Sequence, residues 1–159
     1  MRGGEVIIPG RLASVLGLTV CLLFVSSRNT EAACTLSATG VAFGNYNVFT
    51  GAAVDSTGSV TYNCDNTTHD IVVTLSTGSS GTYTGRTLRS GANQLTYNLY
   101  TDAARTLVWG DGTGGTDMYS KHNPQNNRDV SITIYGRIAA GQDAAVGTYT
   151  DSVTATVNF

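Results

Sequence analysis

From Tyr149 to Phe159 apolar and polar residues alternate: Tyr149, Val153, Ala155, Val157 and Phe159 fall on one face, and Thr150, Ser152, Thr154, Thr156 and Asn158 on the other. Successive side chains of a strand point to opposite faces, so the spacing predicts a β-ribbon over 147–159 with one dry and one wet side. With Phe159 as the last residue given, the expectation is that another polypeptide covers the apolar row and pairs with the free edge.

The same period of two recurs upstream between clusters of Gly, Asn, Asp, Ser and Thr. Cys34 to Phe43 reads as a first extended segment, followed by a Gly-, Ala- and Thr-rich link over 51–58. Val60, Tyr62 and Cys64 share one face of a second strand, Ile71, Val73 and Leu75 one face of a third, and Leu95, Tyr97 and Leu99 one face of a fourth, with Thr96, Asn98 and Tyr100 opposite. Val130, Ile132 and Ile134 carry the penultimate strand. Two Gly-rich stretches, 76–86 and 110–128, read as exposed, mobile loops. Downstream of Cys34 the chain contains no Glu, one Lys and one Met, while Ser and Thr abound. Good helix formers are scarce and β-branched and turn-forming residues plentiful, so the fold class expected is all-β, a sandwich rather than a barrel.

The first 33 residues are composed differently. Arg2 and Arg11 precede an uncharged run from Leu12 to Ser27, and a short polar stretch leads to Ala32, Ala33 and Cys34. That order predicts a secretory signal peptide over 1–33, cleaved near Ala32 or Ala33, and a single domain over 34–159. The run falls short of the roughly 20 residues a bilayer-spanning helix needs, so no membrane span is expected after cleavage. Glu31 stands where a lipid-attachment box wants an aliphatic residue, which argues against a lipoprotein. The domain carries six basic residues against nine Asp, a balance that gives no electrostatic reason to bind nucleic acid or an anionic membrane. Cys34 and Cys64 are its only cysteines, and in an oxidising envelope such a pair is expected to form a disulfide.

Catalytic signals are absent from the sequence. His69 and His122 sit in polar turns without metal-ligand or nucleophile spacing, so neither a metal nor a cofactor is expected. The stretch Gly110-Asp111-Gly112-Thr113-Gly114-Gly115-Thr116-Asp117 lacks the alternating carboxylates and terminal Glu of a calcium loop. A paired-carboxylate hydrolase would have to use two Asp residues from turns and strand ends, and an enzyme is not expected. Asn66-Thr67-Thr68 fits the glycosylation acceptor pattern, a triplet frequent by chance. Trp109 suits a core, although Tyr83, Trp109 and Tyr119 are also candidate loop contacts with a surface or glycan.

Six motifs then occur in a familiar order: Cys34 with Phe43-Gly44-Asn45-Tyr46; Val60-Thr61-Tyr62-Asn63-Cys64; Leu95-Thr96-Tyr97-Asn98-Leu99-Tyr100-Thr101-Asp102; Val108-Trp109-Gly110-Asp111-Gly112; Tyr135-Gly136-Arg137-Ile138; and Gly147-Thr148-Tyr149-Thr150-Asp151-Ser152-Val153. Together they resemble the spore coat protein U domain, whose family includes subunits of archaic chaperone–usher pili. The resemblance implies an immunoglobulin-like β-sandwich lacking its final strand, completed by donor-strand complementation. It also implies export through the periplasm to the cell surface, and three kinds of partner: a periplasmic pilus chaperone, an outer-membrane usher, and neighbouring pilus or coat subunits. Carried onto this chain, Val153, Ala155, Val157 and Phe159 are the expected wall of the strand-acceptor groove. The alternative is a terminal adhesin that binds through its loops. Polymerising pilins of this family usually carry a donor segment before the first cysteine, whereas here Cys34 stands at the expected cleavage site; a terminal position in the assembly is the expectation that follows. Closing the Cys34–Cys64 loop is expected to stabilise the domain by roughly 3–4 kcal/mol, read as the loss of denaturation midpoint on adding reductant.

Overall fold

The computed structural model describes residues 33–65 and 70–159. Most of the expected leader, the Asn66-Thr67-Thr68 triplet and His69 lie outside the described residues. The described residues are all-β, as the composition predicted, with eight strands and one short 3₁₀ turn over Gly78–Ser80 among them. The strands are β1 (Ala33–Thr39), β2 (Val54–Asp65), β3 (Ile71–Leu75), β4 (Arg86–Ser90), β5 (Asn93–Tyr100), β6 (Tyr119–Lys121), β7 (Val130–Ile138) and β8 (Ala155–Asn158). They form a five-stranded sheet ordered β1-β2-β7-β5-β4 and a three-stranded sheet ordered β6-β3-β8, with antiparallel pairing throughout.

The core lies between the sheets and is built from the faces that the alternation marks. Val60, Tyr62 and Cys64 of β2, Ile71, Val73 and Leu75 of β3, Leu95, Tyr97 and Leu99 of β5, and Ile134 and Ile138 of β7 are all buried. Cys34 and Cys64 stand directly opposite each other in the β1–β2 ladder and are joined by a disulfide. Trp109 lies inside with no exposed surface, its indole N–H donating to the Val73 carbonyl at 3.0 Å.

Four elements differ from the sequence expectation. Strand β2 begins at Val54, so more than half of the supposed link over 51–58 is paired backbone, held against β7 from Val54↔Ile138 onward. Strands β4 and β6 arise within or beside the two stretches read as loops; their alternation is too short or too polar to register as a face. Most consequentially, the C-terminal ribbon is regular only over Ala155–Asn158. Thr150 exchanges two backbone hydrogen bonds with Arg89 of β4, at 2.8 and 3.0 Å, and the chain then crosses to pair with β3. One ribbon thus contacts both sheets, and a straight ladder cannot do that.

The stretch 76–86 is organised by a residue that composition hid. Arg86 is completely buried. Its Nε and Nη2 donate to the Ser76 carbonyl at 3.0 and 2.8 Å, Nη2 also to the Trp109 carbonyl at 2.7 Å, and Nη1 to Asn98 Oδ1 at 2.7 Å. Asn98, placed by alternation on the wet face, is itself buried, and its amide donates to the Tyr83 carbonyl. Burial pulls the guanidinium below its usual pKa, opposed by the neighbouring Tyr97, Tyr83 and Asp151. A guanidinium presents five donors in a rigid fork, which lets one side chain bind three separate chain segments here. Replacing Arg86 by Met keeps most of the apolar stem but removes the donors to the Ser76 and Trp109 carbonyls and one of the two donors to Asn98 Oδ1. The expected loss is about 3 kcal/mol, read as a lower urea midpoint with an unchanged slope.

Candidate functional site

An open groove runs between the two sheets, and its walls are two segments that lie largely outside the sheet ladders. After β1 the chain passes over the five-stranded sheet through Val41 and Phe43. It approaches β7 so closely that a Cβ on Gly136 would lie 2.7 Å from Val41 Cγ1 and 2.8 Å from the Phe43 ring. Phe43 packs edge-on to Tyr97 with ring centroids 5.8 Å apart. Tyr46 fastens the far end, donating to the Ala139 carbonyl and accepting from the Gln142 N–H. From residue 40 to residue 46 the backbone makes no backbone hydrogen bond with any other described residue. The opposite wall is the stretch from Ala144 to Ala155. Among the described residues β8 pairs only with β3, so the strand lies at the edge of its sheet.

The groove has two sections. One, of about 320 Å³, is floored by Val60, Leu75, Leu99 and Ile134 and walled by Val153 and Ala155. The other, of about 730 Å³, is lined by Leu95, Ile138 and Tyr149, with Phe49 and Val146 at its mouth. Phe49 is 94% exposed and Val146 fully so, an unusual placement for apolar side chains on both sides of one cleft. Val41, Phe43, Leu88 and Asp151 border both sections.

Of the four expected groove residues, the structure places Val153 and Ala155 on the wall. Val157 does not line the cavity: it stands opposite Val73 in the β3–β8 ladder and packs on the core. Phe159 lies beyond the end of β8, 47% exposed. The ribbon's crossing between sheets explains the shift, because it moves the open part of the cleft toward residues 144–155. Val41, Phe43 and Leu88 were missed; Val41 and Phe43 alternate with small residues, the one local sign of a second wall.

The candidate loop aromatics are mostly occupied within the fold. Trp109 is a core residue, the role its sequence suits, and not the loop contact that was its alternative: its ring fills space between the sheets and has no surface to offer. Tyr119 is half-buried in β6, its ring 6.1 Å from that of Tyr62. Tyr83 is half-buried under the Arg86 guanidinium, 5.3 Å from its ring centroid. His122 Nδ1 sits 2.5 Å from Asp70 Oδ1 on the surface. Among the described residues no group of three or more His, Cys, Asp or Glu is placed to hold a metal. No described helix is long and apolar enough to cross a membrane.

Asp151 was also overlooked, and the sign was in plain view, since it is the one polar residue on the ribbon's apolar face. Its Oδ2 accepts from the Tyr97 hydroxyl at 2.7 Å, and its Oδ1 from the Ser79 and Ser152 N–H groups at 2.9 and 2.8 Å. Burial would raise its pKa, but these hydrogen bonds outweigh it and hold the carboxyl below its ordinary value of 3.8. Burial first, and then the same partnership, drives the Tyr97 hydroxyl far upward.

With this geometry in hand, the comparisons decide the family. Residues 20–156 match the Spore Coat Protein U domain. Protein U of Myxococcus xanthus is 31% identical over 131 residues, covering 74% of this chain and 70% of that protein. The chain belongs to the Spore Coat Protein U domain family. The family match begins at residue 20, inside the stretch read as a leader. Among solved structures, the fold is similar to one in the CsuC–CsuE chaperone–tip adhesion subunit pre-assembly complex, from archaic chaperone-usher Csu pili of Acinetobacter baumannii. The TM-score is 0.55 at 24% identity, over 81% of this chain and 40% of the matched one. This chain therefore spans less than half the length of that structural relative.

The pKa direction at Asp151 has a stability consequence. A carboxyl whose folded pKa lies below its unfolded one contributes stability that is present above the unfolded value and lost as pH falls through the folded value. The wild-type domain should therefore lose stability progressively below about pH 4. Asp151→Asn should be less stable at pH 7 and show a shallower acid limb, measured as urea midpoints at pH 7 and pH 3.

Proposed function

We propose that this protein is an exported structural subunit of a bacterial surface fibre or a spore or cyst coat, assembled by accepting a β-strand from another chain. The single observation that carries this reading is the cleft itself. Its floor is the domain's own core, and its two walls are the backbone of residues 40–46 and the approach to an edge strand. An extended segment laid there would hydrogen-bond to backbone on its edges and send alternate side chains inward, which is the physics of strand addition. Each sizeable apolar side chain so buried is worth about 1.5–3 kcal/mol. The domain over 34–159, freed of a leader, would meet a periplasmic chaperone first. A neighbouring subunit would follow at an outer-membrane usher, leaving the product on the cell surface. The structural relative, a chaperone–tip adhesion subunit pre-assembly complex, supports the chaperone step. No cofactor and no catalysis enter this role.

The adhesin alternative is less well supported. Trp109 is enclosed, and the rings of Tyr83 and Tyr119 pack within the fold.

The test uses the purified chain and a synthetic strand of alternating Val and Thr, with Lys at both ends for solubility. Without the peptide the protein should self-associate; with it, the protein should become monomeric and its thermal midpoint should rise. Val153→Asp, on the wall, should weaken peptide binding at least about tenfold, the equivalent of 1.4 kcal/mol, whereas Thr156→Asp, on the wet face, should leave it unchanged. A peptide-free monomer of high cooperative stability that ignores the peptide would overturn the proposal.

A further inference from the structure

The groove wall is apolar on both sides of one anomaly. Asp151 borders both sections of the cleft, between Tyr149 in the larger and Val153 in the smaller. A sandwich completed by a plain apolar strand would be better served by Val or Ala at this position. The carboxylate cannot swing out to water without breaking three hydrogen bonds, because Tyr97, Ser79 and Ser152 hold both of its oxygens. Tyr97 is itself only 4% exposed and belongs to the floor of the smaller section, so the charge is anchored to the core. Gly78 lies so close that any side chain there would collide with the same carboxylate.

We propose that Asp151 sets the register of the strand that fills the groove, by requiring a small or hydrogen-bond-donating side chain at the one inward position facing its carboxylate. The inference rests on the strand-acceptor reading above and adds the chemistry of the occupant. A large apolar side chain placed there strips water from a fixed anion and returns nothing, a penalty that a hydroxyl or amide donor, or the space left by a small residue, avoids. Inward positions on either side of it meet apolar surface, Val153 and Leu75 in one direction and Leu95 and Ile138 in the other. The occupant is therefore an extended segment of another chain with apolar inward residues interrupted once. A slip of one residue turns its apolar set outward, and a slip of two drives an apolar side chain onto the carboxylate. Selection against the wrong register thus comes from a built-in repulsive element rather than from added attraction.

The experiment walks one Ser through the inward positions of the alternating Val/Thr peptide and measures affinity for the wild type, Asp151→Asn and Asp151→Val. Asp151→Asn keeps one acceptor oxygen for the Ser79 and Ser152 N–H groups and turns an amide N–H toward the Tyr97 hydroxyl, which can accept from it, while removing the charge, so the comparison survives if Asp151→Val fails to fold. The wild type is expected to prefer one Ser position by about tenfold over its neighbours. That preference should fall to within about threefold in Asp151→Asn and vanish in Asp151→Val, whose tightest ligand becomes the unbroken Val peptide. A flat profile in the wild type, or the same preference in the variants, overturns the register claim and leaves the groove standing. Failure of every peptide to bind overturns the groove and the claim together.

Discussion

The buried guanidinium of Arg86 is the constraint from which the C-terminal wall of the cleft hangs. It fixes the Ser76 carbonyl with two hydrogen bonds, and Ser76 in turn clasps Thr154: its N–H donates to the Thr154 carbonyl and its hydroxyl accepts from the Thr154 N–H, both at 2.9 Å. Thr154 stands between Val153 and Ala155, the two wall residues that face the cleft. The same guanidinium holds Trp109 and Asn98, and so joins the loop beside the wall to the centre of the five-stranded sheet. Burying a cation without a carboxylate partner is costly, and such a group is retained where its geometry is needed. Here it supplies a rigid anchor for a strand whose other edge is unsupported.

That unsupported edge accounts for the rest of the architecture. The C-terminal ribbon is tied to β4 at Thr150 and to β3 from Ala155 onward, and between those ties it passes over the core without a neighbour on its outer side. The segment through Val41 and Phe43 lies across the gap. A void of this size lined by Val60, Leu75, Leu99 and Ile134 would be a severe packing defect in a self-sufficient domain. On the strand-acceptor reading proposed above, it is a socket whose cost is met when a second chain fills it. The disulfide between β1 and β2 fastens the strand that leads into the first wall of the cleft.

Legibility in the sequence followed chemical simplicity. Faces made of apolar residues, such as Val60-Tyr62-Cys64 and Ile71-Val73-Leu75, were readable because period two and burial agree there. Strands β4 and β6 escaped notice: Arg86-Thr-Leu-Arg-Ser carries two charges in five residues, and Tyr119-Ser-Lys is too short to show a period. Asn98 and Arg86 misled for one shared reason, that each buries the other's polar group and neither makes sense singly. Of the groove, Val153 and Ala155 were legible and Val41, Phe43 and Leu88 were not, since a wall is defined by what it faces across a gap.

The residue order by itself determined that the chain is all-β, that Cys34 and Cys64 can be joined, and that the final ribbon has one apolar face. These are local properties, carried by side-chain period and composition, and they hold whatever the ribbon packs against. Only the tertiary structure decided where that ribbon leaves one sheet for the other, and therefore that Val157 packs on the core while Val153 lines the opening. It also decided that Asp151, an apparent blemish in the alternation, is anchored by Tyr97 and Ser79 in the middle of the cleft. Period two reports the face a residue occupies; the partner on that face comes from contacts between segments tens of residues apart, which no local pattern encodes.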